Sequence, residues 1–472
     1  MRRTKIVCTI GPASESPEMV RALLEAGMDV ARLNFSHGTY DEHLSRIQTL
    51  RTAAAELDRN LGILLDIQGP KIRLGRMEHP EGVFLEKGQR YILTVDQCLG
   101  NDQRSFVDYP GLPKDVKPGS TVYIDDGLIE LVVREVRGND VHCEVVVGGQ
   151  VTSRKGVSLP GIDVSLPPVT AEDIEHIRFG VKHGVDFIAA SFVRRGDHVH
   201  AVREYIREAG GSQLVIAKIE SEAGLRHIDD IIEAADGIMV ARGDLGVEIP
   251  PEEVPLAQKM LIRKCNEAGK PVITATQMLD SMMRNARPTR AEVTDVSNAI
   301  FEGTDCVMLS GETAMGKYPA KAVQVMDRIA RRMEQVIDYQ TVLMEKLASP
   351  RNKVGEAICA AACQTTLDLD VNVILCSTRS GTTARMVSRY RPKAMILALC
   401  PDEEVVRQLT MTWGVYALKV EEAESIEEMI ANAVAEAKAR SLVTPGEITT
   451  IVAGVSVGKK GSTNLIQVHE VQ

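Results

Sequence analysis

Lys218 and Glu220 are the two residues of this sequence whose types and spacing most directly suggest chemistry. They are two positions apart, so in a β-strand both side chains point to the same face. A cation beside a carboxylate suits a site for a metal ion and a phosphate, and Asp244, in an Arg-Gly-Asp sequence, could supply a second carboxylate. Mg²⁺ accepts such hard oxygen ligands and completes its shell with water and substrate oxygens. The three residues therefore predict a Mg²⁺ site.

Basic residues elsewhere in the sequence would complete this site. Arg32, Arg242 and Lys218 together could hold an anionic substrate beside the metal. Enzymes that transfer a phosphoryl group work mainly by positioning groups and neutralising charge, which this combination supplies. Each piece alone also has an ordinary structural interpretation: a tight turn for Arg-Gly-Asp, a salt bridge for Lys218 with Glu220, and a helix cap for Thr276.

Eight short β-branched runs, each followed by a helical pattern, would position these residues. They cover residues 4–10, 29–35, 61–67, 186–193, 214–220, 237–242, 271–277 and 306–312. Eight parallel strands that alternate with helices predict an α/β protein with a closed (β/α)8 TIM barrel. In such a barrel, functional groups gather at the carboxyl ends of the strands. Polar residues lie at or next to the ends of seven of the eight runs, and this coincidence favours a functional site over the separate structural interpretations.

The spacing of the runs also predicts three domains. A long interval after the third run contains alternating segments broken by Gly and Pro, which predicts that a small β-barrel lid domain at residues 70–167 interrupts the barrel. Near residue 346 the pattern restarts as an open α/β domain. We therefore assign residues 1–69 and 168–345 to the catalytic barrel, 70–167 to the lid, and 346–472 to a C-terminal α/β domain.

The composition argues against several classes of partner. The chain has 472 residues, and 65 acidic against 55 basic side chains give a formal net charge of −10, so it has no general attraction to nucleic acid or to an anionic membrane. No run reaches the roughly 18 apolar residues of a membrane-spanning helix, and the apolar run at the N-terminus is too short for a signal peptide. The nine cysteines include no CxxC pair and are expected to be buried, reduced thiols in a cytoplasmic protein.

Six motifs, in order along the chain, closely resemble those of the pyruvate kinase family. They are TKIVCTIGP at 4–12, RLNFSHG at 32–38, GPKIR at 69–73, MVARGDLGVE at 239–248, ATQML at 275–279 and MLSGETA at 308–314. The resemblance extends from residue 4 to the C-terminus. It implies transfer of the phosphoryl group of phosphoenolpyruvate to ADP, which gives pyruvate and ATP in the final step of glycolysis. It also implies a homotetramer whose C-terminal domain is regulatory.

The resemblance implies a catalytic role for each matching residue. Glu220 and Asp244 would hold Mg²⁺, for which Mn²⁺ is an accepted substitute. Lys218 would stabilise the phosphoryl group during transfer, because its ammonium is a mobile point charge. The remaining substrate contacts would come from Arg32, the backbone at Gly243, and Thr276, which would lie on the proton path to the enolate.

The resemblance also implies a nucleotide site that involves the lid. Lys155, which follows the last predicted strands of the lid, would close over the phosphates of ADP together with a second Mg²⁺ that the nucleotide brings. The other implied nucleotide contacts are Asn34, His37 and Arg73.

The position for a monovalent cation departs from the commoner form of the family. Many members hold K⁺ with groups that match Asn34, Ser36, Asp66 and the carbonyl of Ile67. Those members read TKGPE where this chain reads IQGPK at 67–71, so Lys71 replaces a glutamate. An ammonium can supply the unit charge of K⁺ without dehydration of an ion. We therefore predict that K⁺ is not required; the alternative is that Lys71 is only a surface charge and K⁺ still binds.

A second phosphate site is predicted in the C-terminal domain. A polar segment there follows a strand and opens a helix, a geometry that presents N–H groups and hydroxyls to a phosphate, and it resembles the effector loop of the family. Its residues are Ser377, Thr378, Arg379, Ser380, Gly381 and Thr382, and Lys459 with Lys460 could close over the same phosphorylated effector. The alternative is an ordinary capped helix and an exposed turn.

Two other functions are compatible with parts of the sequence. One is a different Mg²⁺-dependent barrel enzyme that acts on phosphoenolpyruvate or pyruvate, such as a C–C lyase or an aldolase, although such enzymes have no need of the lid or of Lys155. The other is a catalytically silent sensor of phosphorylated metabolites. The intact set of Lys218, Glu220, Asp244 and Thr276 counts against the sensor.

Overall fold

Eight parallel strands form a closed barrel in the computed structural model, which describes residues 1–348, 353–454 and 463–472. Barrel strands 1 to 8, in chain order, are Lys5–Thr9, Val30–Asn34, Gly62–Asp66, Phe187–Ala190, Leu214–Ile219, Gly237–Ala241, Val272–Ala275 and Cys306–Leu309. Nearly every residue in them is buried, as expected for parallel strands covered on both faces. Each strand lies within one of the predicted runs, so the predicted barrel is confirmed.

Helices surround the barrel and pack their apolar faces against it. Three of them begin with a capping box at Thr39, Thr170 or Thr289, in which the threonine and an acidic residue three positions later satisfy free N–H groups. The helices of this part of the chain are Pro17–Ala26, Tyr40–Glu56, Ala171–Lys182, Gly196–Glu208, Glu222–Arg226, Ile228–Ala234, Arg242–Glu248, Val254–Ala268, Arg290–Phe301, Gly311–Ala314, Pro319–Glu334 and Tyr339–Leu347, with 3-10 turns at Pro251–Glu253 and Asp280–Met283.

The segment between barrel strands 3 and 4 forms a β-structure with its own core. Its strands are Ile72–Arg73, Val83–Leu85, Arg90–Thr94, Arg104–Phe106, Thr121–Ile124, Ile129–Arg137, Asp140–Val147, Gly149–Val151 and Gly156–Ser158, with one short helix at Leu112–Asp115. Seven of them form one sheet, whose two edge strands are Ile72–Arg73 and Arg104–Phe106. A bridge between Leu74 and Val107 joins these edges, so the sheet closes on itself as a small barrel.

The C-terminal part of the chain is an open α/β sheet. Its strands, in spatial order, are Val415–Lys419, Met395–Cys400, Val373–Ser377, Ile448–Gly454 and Thr463–Glu470, and the last is antiparallel to its neighbour. Its helices are Val354–Asp368, Thr382–Ser388, Glu403–Gln408 and Ile426–Ala439, with a 3-10 turn at Leu409–Met411. The open sheet was predicted, but the strands Val415–Lys419 and Thr463–Glu470 were not.

This sheet packs against the amino-terminal end of the barrel. The side chain of Met411 is fully buried in the interior of the barrel, next to Cys306. Two carboxylates that precede barrel strands form buried ion pairs across the junction: Asp305 with Arg391, and Asp186 with Arg407. The carboxyl ends of the strands, where functional groups are expected, therefore lie at the opposite end of the barrel.

In the described ranges, no helix is both long enough and apolar enough to cross a membrane.

Candidate active site

The carboxyl ends of barrel strands 2 to 6 bring most of the predicted catalytic residues together. Arg32 lies in strand 2, Asp66 ends strand 3, Lys218 lies near the end of strand 5, and Asp244 follows strand 6. Strands 2 and 3 are paired with Asn34 opposite Asp66, which sets both side chains at the same height in the barrel. The barrel itself thus gathers residues that are up to 212 positions apart in the sequence.

Lys218 is held at the centre of this group by three acceptors. Its Nζ donates to Ser191 Oγ at 2.6 Å and lies 3.0 Å from Glu220 Oε1 and 3.2 Å from Asp66 Oδ1. Burial opposes the charged form of the lysine, but the carboxylates of Asp66 and Glu220 outweigh it and raise the pKa of Lys218. The ammonium is therefore a fixed positive charge at the mouth of the barrel.

Asp66 links Lys218 to Arg32. Arg32 Nε lies 2.7 Å from Asp66 Oδ2, and its Nη1 donates to Thr9 Oγ1 at 3.0 Å. Burial alone would raise the pKa of Asp66, but Lys218 and Arg32 lower it below its usual value. Asp66 thus remains ionised and holds two cations side by side, which creates a positive surface suited to a phosphate.

Glu220 and Asp244 are suitable ligands for a divalent cation. Glu220 Oε2 accepts a hydrogen bond from the backbone N–H of Phe192 at 2.6 Å. Burial raises the pKa of Glu220, Lys218 opposes this, and the negative charge of Asp244 adds to the rise. A cation between the two carboxylates would relieve that repulsion. Two carboxylates are a ligand set that suits Mg²⁺, which is usually bound by one or two carboxylates and keeps several waters.

Thr276 occupies a strained turn after barrel strand 7, and Arg242, which follows strand 6, contacts it. Thr276 and Gln277 have φ of 70° and 56°, in the left-handed region that β-branched residues in particular avoid. The hydroxyl of Thr276 accepts a hydrogen bond from the N–H of Gly243 at 2.9 Å. Arg242 donates to the carbonyl of Thr276 at 2.6 Å and pairs with Asp295 at 2.7 Å. The expectation that Arg242 holds substrate is therefore not supported, because its guanidinium braces this turn instead.

The predicted nucleotide residues are divided between the barrel and the lid. His37 is exposed beyond strand 2, and Asn34 Oδ1 accepts from the N–H of Ser36 at 3.2 Å. Arg73 lies in the first lid strand. Lys155, on the lid, pairs with Asp125 at 2.8 Å.

A cavity of about 110 Å³ separates the lid from the barrel beside Asp244. Lys71 and Glu248 also line it. Burial, followed by the charges of Glu222 and Asp244, raises the pKa of Glu248 to about 7. Near neutral pH this carboxyl is therefore only partly ionised.

Three of the four groups at the predicted monovalent-cation position, those of Asn34, Asp66 and Ile67, have partners within the protein. The carbonyl of Ile67 accepts a hydrogen bond from the hydroxyl of Ser191 at 2.7 Å, and Asp66 is paired as described above. The ammonium of Lys71 lies 3.8 Å from Asp244 Oδ1 and 5.5 Å from the centre of the Phe192 ring. Lys71 thus forms an ion pair with a predicted Mg²⁺ ligand.

The predicted effector segment forms a turn before the helix Thr382–Ser388. Ser377 ends a strand, Gly381 has φ of 77°, and the hydroxyls of Ser380 and Thr382 are 2.9 Å apart. Arg379 pairs with Glu422 at 2.8 Å. Lys459 and Lys460 lie outside the described residues.

Sequence reasoning did not identify Ser191 as a partner of Lys218, or the direct contact of Lys218 with Asp66. The sequence did indicate that both residues lie near the site, because Ser191 is a polar residue near the end of the fourth run and Asp66 is one near the end of the third. Which side chains meet across a barrel depends on strand tilt and stagger, which a single run does not specify.

Comparisons with known proteins identify relatives over the whole chain. Residues 1–323 match the family model "Pyruvate kinase, barrel domain", and residues 356–469 match "Pyruvate kinase, alpha/beta domain". A pyruvate kinase of Sporosarcina psychrophila is 50% identical over 477 residues, which cover 100% of this chain and 81% of that protein. One from Geobacillus stearothermophilus is 50% identical over 473 residues, covering 100% and 80%. A crystal structure of a pyruvate kinase from Cryptosporidium parvum matches with a TM-score of 0.96 and 42% identity, covering 100% of this chain and 96% of the other.

Proposed function

This chain belongs to the pyruvate kinase family, and from that premise we propose how its residues carry out the reaction. The protein is a phosphotransferase that transfers the phosphoryl group of phosphoenolpyruvate to ADP, giving pyruvate and ATP. We infer that the site at the mouth of the barrel performs this transfer. The observation that carries this inference is the fixed ammonium of Lys218, placed between two buried carboxylates.

Each residue of the site has one proposed task. Lys218 stabilises the charge on the phosphoryl group in transfer, and Arg32 and the backbone at Gly243 hold phosphoenolpyruvate. Thr276 lies on the path by which the enolate receives its proton. Members of the family need Mg²⁺, and here Glu220 and Asp244 would bind it. When bound, the ion supplies neutralisation of substrate charge.

The nucleotide occupies the cleft between the barrel and the lid. Asn34 and His37 contact it from the barrel, and Arg73 and Lys155 contact it from the lid. Lys155 is paired with Asp125, so binding of the ADP phosphates exchanges one anionic partner of this lysine for another. Lid closure would then exclude water from the transfer, which strengthens every charge interaction in the site.

K⁺ is not required for this activity. The support is that Lys71 brings a positive charge within 3.8 Å of Asp244, while a protein hydroxyl already binds the Ile67 carbonyl. Turnover measured in tetramethylammonium buffer, with and without KCl, tests this proposal. We expect equal rates, and a hundredfold lower rate without K⁺ would contradict it. In the variant Lys71→Glu, turnover without K⁺ should fall and KCl should restore part of it.

The remaining assignments are also proposals. Residues 1–69 and 168–345 form the catalytic domain, 70–167 the lid, and 346–472 a regulatory domain. The protein works as a cytoplasmic homotetramer, and a phosphorylated effector binds at residues 377–382 with Lys459 and Lys460.

The reaction itself is tested by the formation of pyruvate, coupled to lactate dehydrogenase. Pyruvate should appear from phosphoenolpyruvate only when ADP and Mg²⁺ are both present. Pyruvate formed at the same rate without ADP would favour a lyase, and no pyruvate under any condition would favour a silent sensor.

A further inference from the structure

A small cavity lies at the junction of the barrel and the C-terminal sheet, and several of its lining residues are basic. Its volume is about 10 Å³, which is room for about one atom or ion of the size of a water molecule. Lys270, which precedes barrel strand 7, lines it from the barrel, and Arg385 and Thr412 line it from the sheet. Arg391 and Asp305, whose ion pair crosses the junction, also line it.

Three of these residues have a buried polar atom with no hydrogen-bond partner among the described residues. The atoms are Arg385 Nη2, Arg391 Nε and Thr412 Oγ1. Arg391 and Thr412 are 5% and 3% exposed, so bulk solvent does not reach them. Buried polar atoms are nearly always hydrogen-bonded, because an unpaired one destabilises the fold. Three unpaired atoms on residues that line one cavity therefore indicate that a bound species completes their hydrogen bonds.

Arg385 and Lys270 bring positive charges to this cavity that no ion pair in the described part of the chain neutralises. Arg385 Nη1 donates to the carbonyl of Ser380 at 3.0 Å, and Lys270 Nζ donates to three backbone carbonyls. Asp236 attracts Arg385, but it is itself paired with Arg203 at 2.9 Å. Burial lowers the pKa of both Arg385 and Lys270. The charges of these two side chains are thus only partly compensated.

Lys346 shows the same excess of positive charge at the junction. It lies in the helix Tyr339–Leu347, close enough to interact with Arg391 and Asp305. Burial, followed by the charge of Arg391, lowers the pKa of Lys346 to about 8, although Asp305 opposes this. The surroundings of the cavity therefore favour a bound species with a negative charge.

The hydrogen-bonding groups also favour an anion over a water molecule. An arginine N–H can only donate, so two of the three unpaired atoms require an acceptor. A water molecule would bring two hydrogens that need acceptors of their own, whereas an anion accepts from all three side chains. A cavity of about 10 Å³ admits one atom, which excludes a phosphate with its four oxygens.

We propose that this cavity binds one monatomic anion of the size of chloride, which accepts hydrogen bonds from Arg385, Arg391 and Thr412. The anion stabilises the junction between the barrel and the C-terminal sheet, because it offsets positive charge that the carboxylates leave uncompensated. This site is separate from the proposed active site, at the opposite end of the barrel.

Crystals of the full chain grown in sodium chloride or sodium bromide test whether the anion is present. We expect an anomalous scattering peak of either halide in the cavity, within hydrogen-bond distance of Arg385 Nη2, Arg391 Nε and Thr412 Oγ1. A water molecule in the cavity, or no bound species, would overturn the proposal.

Melting temperatures in sodium chloride and in sodium gluconate, at equal ionic strength, test whether the anion binds in solution. The wild type should melt about 1–4 °C higher in chloride, because a ligand that binds only the folded state stabilises it. Arg385→Met and Thr412→Val should each reduce this difference between the two salts. Thr412→Val keeps the shape of the side chain, so it serves if Arg385→Met does not fold.

Arg440→Met is the control for these variants. Arg440 pairs with Glu436 at 3.7 Å on a helix of the same C-terminal part, and its loss should leave the difference between chloride and gluconate as in the wild type. Equal melting temperatures of the wild type in both salts would overturn the proposal. A chloride effect that persists undiminished in Arg385→Met and Thr412→Val would overturn it as well.

Discussion

At the scale of single residues, the site depends on charges that are in place before any substrate arrives. Asp66 and Glu220 have side chains that are each 1% exposed, and both point at Lys218. Their desolvation is offset by the ion pairs that they form with Lys218 and Arg32. Because these groups are already oriented, stabilisation of a developing charge needs little reorganisation.

The variant Lys218→Met tests this role directly. We expect kcat to fall by about a hundredfold to a thousandfold, as for the loss of a preorganised group that stabilises the transition state. The methionine also leaves Asp66 and Glu220 buried without their shared cation, so the variant should be less stable. The measurement is kcat in the coupled assay, at a temperature where circular dichroism shows that the variant is folded.

Lys393→Met is the matched control for that experiment. Lys393 forms an exposed ion pair with Asp370 at 3.0 Å in the C-terminal part of the chain. Its loss should change neither kcat nor stability measurably, since exposed pairs contribute little. Unchanged turnover in Lys218→Met would show that another group stabilises the phosphoryl transfer.

The sequence predicted some of these residues better than others. Lys218 and Glu220 were predicted to act together, because a spacing of two within one strand requires them to share a face. The bracing role of Arg242 was not predicted, because an arginine beside an aspartate suggests a substrate site as readily as a structural one. Its partners, the carbonyl of Thr276 and Asp295, come from other elements, and only the assembled barrel brings them together.

At the scale of elements, the helix after barrel strand 4 contains a titratable group that should affect stability. His198 lies in the helix Gly196–Glu208, and its Nδ1 accepts from the N–H of Arg194 at 3.4 Å. Burial, followed by the charges of Arg194 and Arg195, lowers the pKa of His198 to about 4. The folded protein therefore keeps this imidazole neutral under conditions in which the unfolded chain protonates it.

This shift predicts a loss of stability in mild acid. A histidine in the unfolded chain has a pKa of about 6.5, so below that pH the unfolded state binds a proton that the folded state does not. The free energy of unfolding should decrease as the pH falls from about 6.5 towards 4, where the folded protein also becomes protonated. Thermal melts at pH 7 and pH 5 measure the decrease.

The variant His198→Asn keeps an acceptor near Nδ1 and removes the titration. The difference between its melting temperatures at pH 7 and pH 5 should be smaller than in the wild type. His200→Gln changes an exposed histidine of the same helix and serves as the control. An equal difference in wild type and His198→Asn would contradict the prediction.

The elements that the sequence predicted share one property, which is a continuous apolar, β-branched run. Barrel strand 1 is an example, since every residue of Lys5–Thr9 is buried and the run Ile-Val-Cys marks it. The strand Val415–Lys419 was missed because Val415 is its only β-branched residue and a 3-10 turn precedes it closely. The strand Thr463–Glu470 contains only Leu465, Ile466 and Val468 as apolar residues, so it has no continuous apolar run. Both are edge strands of their sheet, and such strands have a weaker apolar pattern in the sequence than the fully buried strands of a barrel.

At the scale of the whole molecule, the proposed effector segment and the active site lie at opposite ends of the barrel. The C-terminal sheet contacts the amino-terminal end of the strands through Met411 and the ion pairs of Asp186 and Asp305. These two aspartates directly precede barrel strands 4 and 8, whose far ends carry Ser191 and Ser310. Any influence of the C-terminal domain on catalysis therefore has to be transmitted along the barrel or through an assembly of chains.

Among the contacts of this junction, we expect the pair of Asp305 and Arg391 to contribute most to the stability of the folded protein. Arg391 donates to both oxygens of Asp305, at 2.9 and 3.0 Å, and also to the carbonyl of Gly303 at 2.8 Å. Both side chains are 6% exposed, and the guanidinium lies 4.8 Å from the centre of the Trp413 ring. Asp305 also accepts from the N–H of Val272, which begins barrel strand 7. One arginine thus joins two barrel strands to the C-terminal sheet.

In the variant Arg391→Met, Asp305 would remain buried without its cation. We expect the unfolding free energy to fall by about 3–5 kcal/mol, the range measured when one partner of a buried ion pair is removed. Calorimetry and denaturant titration followed by circular dichroism would measure the change. Arg178→Met, which breaks an exposed pair with Glu175, is the control and should lower the unfolding free energy by less than about 1 kcal/mol.

A double variant tests whether the two side chains act as a pair. When Asp305→Asn is combined with Arg391→Met, the loss of stability should be smaller than the sum of the two single losses, because no buried charge is left without a partner. Additive losses would mean that the two side chains stabilise the junction independently.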